Sequence, residues 1–194
     1  MSYIFDAVRF LHILSVVFMS APLYNLIVVN ERARLGKAPF AVDRYFENII
    51  RGATTRCYVY QLTVLVSGIF LVALAPSGWS ALFANPVLMA KSILLLGLMG
   101  LLSFVHFGIQ PAIESLLAGV SGQTIPDEIA AQVAPLRLRR KRLAAVCLFI
   151  VISLILLGLQ VYQLFGFKLN LVLFVLAALF AWRVYRTRIR FGWL

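Results

Sequence analysis

Apolar and polar positions alternate along this chain in long blocks. Four runs contain no Asp, Glu, Lys or Arg: Phe10 to Asn30, Cys57 to Ala90, Ser92 to Ile113 and Leu143 to Phe167. A fifth, shorter run goes from Leu169 to Trp182. A bilayer core takes about 20 apolar residues as a helix, so each run predicts one transmembrane span. Turn and break residues place the spans at about 6–30, 57–75, 87–110, 143–165 and 168–185. Pro76 with Ser77-Gly78 ends the second, Pro86 opens the third, Pro111 closes it, and Gly166 turns the chain into the fifth.

Between the first two spans, Val42, Tyr45, Phe46, Ile49 and Ile50 recur at helical spacing, with Arg44, Glu47 and Arg51 on the other side. Segment 39–52 is therefore amphipathic. It either lies on the inner membrane surface or, the preferred reading, runs into the second span as one long helix interrupted only by Gly52. Thr124, Pro126, Asp127 and Glu128 predict a short helix that stops near Pro135. Pro22 predicts a kink in the first span, and Gly97, Gly100 and Ser103 a close helix contact on the third. The expected fold is an all-α integral membrane bundle in a single domain, 1–194, with a four-helix core and a fifth helix at the C-terminus.

Composition agrees. The chain is 62% hydrophobic and 13% charged, against about 25% charged for a soluble domain. No basic n-region precedes the first span and no small-residue cleavage site follows it, so that span is expected to stay in the protein.

Charge sets the orientation. Fifteen Lys and Arg lie in three segments: 31–56, 137–142 and 183–190. The positive-inside rule places all three in the cytoplasm, with the N-terminus outside and the C-terminus inside an inner (plasma) membrane. The net charge of +11 follows from this, and the spread of basic residues over membrane flanks excludes a nucleic-acid reader. Cys57 and Cys147 fall on the cytoplasmic side and are expected to be free thiols.

Five ionisable groups remain inside the apolar blocks: Asp6, Arg9, His12, Lys91 and His106. Such groups are costly at membrane depth and mark functional positions. Asp6, Arg9 and His12 are successive i,i+3 neighbours on one side of a helix. Arg9, His12 and Lys91 fall within roughly 5–13 Å of the outer ends of two parallel spans. His106 lies roughly 18 Å deeper than His12, so one haem held by both histidines is excluded. One haem on His12 alone, or two haems each with a non-histidine second ligand, stays open. So do plainer roles: Arg9 snorkelling outward to pair with Asp6, Lys91 reaching headgroups, His12 in an interhelical hydrogen bond, and His106 at the inner interface.

The segment RFLHILSVVFMSAPLY resembles the first helix of a loose superfamily of small polytopic membrane proteins, which includes HemJ-type protoporphyrinogen oxidases and the CopD membrane domain. NPVLMAKSILLLGLMGLLSFVHF is similar to their helix with an early Lys and a later His, and RLRRKRLAAVCLFIVISLILLGL to their basic lead into the last helix. The likeness covers about residues 6–160 and leaves the fifth span as an addition. It implies His12 as a haem b iron ligand, with Lys91 and, as a subordinate candidate, His106 matching the family's later Lys and His. Arg9 and Lys91, at similar depth, are the cofactor-binding cations expected to neutralise the haem propionates. Pro22-Leu23-Tyr24-Asn25 stands where the family carries Tyr-Leu-Pro-Arg, so the resemblance implies the bundle and a haem rather than the oxidase activity. The expected function is a haem-associated redox role near the outer face. The alternative is an accessory or assembly subunit packed against other membrane subunits or a second copy, and the third choice is a small transporter. The lipid bilayer is a partner in every case.

Overall fold

The computed structural model describes residues 3–30, 39–161 and 163–186. Tyr162, the loop with Arg32, Arg34 and Lys37, and the tail with Arg188 and Arg190 lie outside the described residues. The chain forms α1 (Tyr3–Asn30), α2 (Phe40–Leu74), a 3₁₀ turn (Gly78–Ser80), α3 (Ala81–Ala84), α4 (Pro86–Phe104), a π-helical turn (Val105–Ile109), α5 (Gln110–Ala118), α6 (Asp127–Leu159) and α7 (Phe167–Arg186). Among the described residues there is no strand. Five helices are long and apolar enough to cross a membrane: α1, α2, the continuous stack from α4 to α5, α6 and α7. The protein is a multi-pass membrane protein. Its outward residues agree, since Phe10, Val66, Leu96, Phe107 and Leu179 are exposed and only lipid accommodates so apolar an exterior.

α1 packs along α2 and against α6, α4 packs on α6, and α7 lies chiefly against α6. α2 and α4 touch sparsely. The buried middle is formed by Met19, Leu23, Cys57, Leu98, Cys147 and Val151, drawn from all four core helices. Both cysteines are buried and free. One end of the bundle carries the short connections around Gly78–Ala84 and Gln160–Gly166. The other is the basic end, where α2 begins and α5 joins α6.

Several helix ends differ from the pattern-based reading. The third long helix does not stop at Gln110 but continues through Pro111 to Ala118. In the π turn the Gln110 N–H reaches back to the Val105 carbonyl, and such local widening accommodates a proline that has no N–H to give. The helix expected to stop near Pro135 is the first part of α6, which runs unbroken from Asp127 to Leu159. Ala131 and Pro135 are both exposed, so the carbonyl that Pro135 cannot serve faces outward. α6 ends earlier than 165 because the Gln160 side chain takes over. It donates to the Leu156 carbonyl and to Asn170 of α7, and accepts from Phe165 N–H. Among the described residues, Gly97 and Gly100 have no neighbouring atom within 4 Å of where a Cβ would stand, so no described helix packs closely there. Ser103 instead accepts from the Tyr58 hydroxyl at 2.9 Å. α1 passes through Pro22 as one helix, and the Ser20 hydroxyl bonds to the Val17 carbonyl.

A single helix from Phe40 to Leu74 carries the 39–52 segment through Gly52. Its buried face mixes two acids with an apolar residue. Asp43, Glu47 and Ile50 point inward, whereas Val42 and Tyr45 are exposed. The reason lies on α6. Arg140, 0% exposed, grips both Glu47 carboxylate oxygens at 2.7 and 3.1 Å. Arg137 bonds to Glu47 at 3.0 Å and to Asp43 at 2.5 Å. Gln110 of α5 accepts from Arg140 at 2.6 Å and donates to Glu114 at 3.2 Å. This paired network ties α2, α5 and α6 together at the basic end. Removing one partner of such a buried pair costs about 3–5 kcal/mol.

Candidate ligand site

Helix length sets the depth of each candidate. His12 lies in the third turn of α1 and reaches across to α2, where its Nδ1 is 2.9 Å from the Ser67 hydroxyl. A serine hydroxyl has one proton. Ser67 directs its own to the Thr63 carbonyl at 2.5 Å, with the Val64 carbonyl at 3.3 Å. With the hydroxyl proton on that carbonyl, Nδ1–H is the donor to Ser67. The imidazole is also within hydrogen-bonding reach of the Val64 backbone. The ring also lies against Gly68, where a Cβ would stand 3.3 Å from His12 Cε1. Glycine at 68 makes room for the imidazole.

Lys91 enters from α4, near the same end. Its ammonium lies against Gly158 of α6, 3.7 Å from where a Cβ would stand, and within electrostatic reach of His12. Among the described residues it has neither a carboxylate nor a hydrogen-bond partner. Asn85 starts α4 one turn earlier, accepting from the N–H groups of Val87 and Leu88 at 2.9 and 3.4 Å with Pro86 in the first turn. That cap sets the register that points Lys91 inward. One residue from each core helix thus meets near the short-loop end: His12, Ser67, Lys91 and Gly158.

Arg9 and Asp6, on the same side of α1, are both exposed toward the rim. His106 does not join the site. It sits in the π turn with its ring edge-on to Tyr58 and Phe107, at 5.7 and 4.8 Å between centroids. Tyr58 and Ser67 are nine residues apart on α2, about 13 Å along the axis. Metal–imidazole bonds are about 2 Å, so the two histidines cannot share one ion in this arrangement. Among the described residues no three His, Cys, Asp or Glu side chains gather into a metal-binding group.

The chemistry available at the site is an imidazole oriented by Ser67, with the Lys91 side chain within electrostatic reach. It suits a Lewis-acidic centre that also carries an anionic group. Sequence reasoning missed Ser67, Gly68 and Gly158. Serine and glycine are common in membrane helices, and only the packing shows what these three touch. No family model, curated protein or solved structure matches the chain.

Proposed function

We infer that this membrane protein holds one haem b at the short-loop end of its bundle, with His12 as the single protein ligand to iron, and has a redox role near the outer face of the inner membrane. The observation that carries the reading is the His12–Ser67 hydrogen bond; with Nδ1–H as its donor, Nε2 would be the basic nitrogen that meets iron. Histidine ligands usually donate their other ring N–H in this way, which fixes the ring and raises its basicity. Lys91 supports it as a cation able to pair with a carboxylate; Arg9 stands at the rim on the same side of α1 as His12. The sparse α2–α4 seam is where a flat ligand would find room from the lipid side. Bound there, haem b would supply one-electron transfer. The chain's own part is to ligate through His12, hold that ring through Ser67 and neutralise an acidic group through Lys91, with Arg9 nearby at the rim. The resemblance to the HemJ/CopD-like superfamily implies the same reading, and the positive-inside rule places this end outside.

A second reading, an accessory subunit of a larger membrane complex, draws on α7. That helix packs chiefly on α6 and leaves Leu171, Val175, Leu179 and Trp182 exposed, a flank that a partner helix could cover. The absorption spectrum of the protein purified in mild detergent from haem-sufficient cells separates the two. The haem reading expects a Soret band with about one haem per chain. A spectrum without one favours the accessory reading.

A further inference from the structure

The arginine-rich stretch of α6 has two faces with different partners. Arg137 and Arg140 turn inward and are neutralised by Asp43 and Glu47. Arg139 and Arg142, three residues apart, are exposed. Arg139 stacks its guanidinium 5.2 Å from the centre of the Phe104 ring, and Arg142 stacks 5.2 Å from that of Tyr185. Among the described residues neither has a carboxylate or hydrogen-bond partner. A guanidinium lying on a ring face is held in place while its in-plane N–H groups stay available. These two are therefore preorganised cations without an anion.

Beside them runs a groove of about 500 Å³ along one face of α6, bordered by Tyr185 of α7. Its lining succeeds at helical spacing from Pro135 through Leu138, Arg139 and Arg142 to Leu143 and Val146. The two arginines stand midway along it, with Pro135 and Leu138 on one side and Leu143 and Val146 on the other. A cationic pair set in an apolar floor matches an amphiphile that brings both an anionic group and a chain. A soluble phosphate would use the arginines and leave the apolar floor uncovered.

We propose that this groove binds one anionic phospholipid, its phosphate held by Arg139 and Arg142 and an acyl chain laid over Leu143 and Val146. Basic pockets between membrane helices are suited to such headgroups, and the planar fork of arginine matches phosphate oxygens. The inward pair supports the site indirectly, since Glu47 and Asp43 are engaged elsewhere and do not compete for these two arginines.

The test is native mass spectrometry of the full chain in detergent, titrated separately with phosphatidylglycerol and phosphatidylcholine. The proposal expects selective retention of phosphatidylglycerol, weakened about tenfold or more in R139Q/R142Q. R44Q/R51Q removes the same charge at the same end of the bundle and should leave retention unchanged. Equal loss in both double variants, retention unaffected by R139Q/R142Q, or equal retention of the two lipids overturns it. So does competition by glycerol phosphate at lipid-like concentrations, which would reveal a soluble-phosphate site. A measurement on the unaltered protein guards against poor folding of the variants. A photoreactive phosphatidylglycerol should cross-link within residues 135–146, and cross-links confined to other segments contradict the proposal.

Discussion

His12 Nδ1 lies 2.9 Å from the Ser67 hydroxyl, and the serine decides the direction of that bond. Its one proton goes to a backbone carbonyl of its own helix, so the histidine must donate. S67A should therefore free the ring without removing it. Haem retention should fall by about 10–100-fold, the usual cost of losing such a partner, while fold stability drops by only about 1 kcal/mol. Haem content per chain and thermal unfolding in detergent measure the two effects separately. Unchanged retention would mean that Ser67 does not position the ring.

Two glycines flank the site with different clearances, so they should respond differently. A Cβ at position 68 would stand 3.3 Å from the His12 ring, whereas one at 158 would stand in ordinary contact, 3.7 Å from Lys91 Nζ. G68A should push the imidazole by a few tenths of an ångström and lower haem content. G158A should leave it near that of the unaltered protein. Paired haem assays of the two variants check this, and an equal response contradicts the geometry.

At the basic end, Glu47 is held by two arginines, one of them fully buried. E47A should destabilise the protein by about 3–5 kcal/mol, because it strands the Arg140 charge. Replacing both partners, as in E47L/R140M, should cost much less than the sum of the single changes. Denaturant unfolding of the four proteins gives the coupling. An additive result would show that the two side chains act independently.

The orientation assigned to the bundle has its own consequence. A reporter fused after Leu194 should be active in the cytoplasm and silent outside. Activity on the outer side would invert the bundle and place the His12 site at the inner face.

The five long helices were legible because a bilayer demands uninterrupted apolar length, and charge-free runs meet that demand residue by residue. Their ends were less so. Pro111 and Pro135 read as stops, yet a π turn absorbs the first and an exposed carbonyl tolerates the second. The burial of Asp43 and Glu47 on 39–52 was hidden for a different reason. The partners that draw Asp43 and Glu47 inward are Arg137 and Arg140, some ninety residues away, and no local pattern reveals a pairing at that distance. His12 and Lys91 stood out as ionisable groups in apolar surroundings. What surrounds them, Ser67, Gly68 and Gly158, depends on the rotation of each helix about its axis, which hydropathy does not encode.

We propose that His12 alone would anchor a haem. The most direct measurement is the Soret absorbance of H12A beside H106A and the unaltered protein, each purified from haem-sufficient cells. The band should vanish in H12A and persist in H106A, because His106 packs on Tyr58 and Phe107, about 13 Å along α2 from the Ser67 level. A band that survives in H12A, or is absent from all three proteins, contradicts the account.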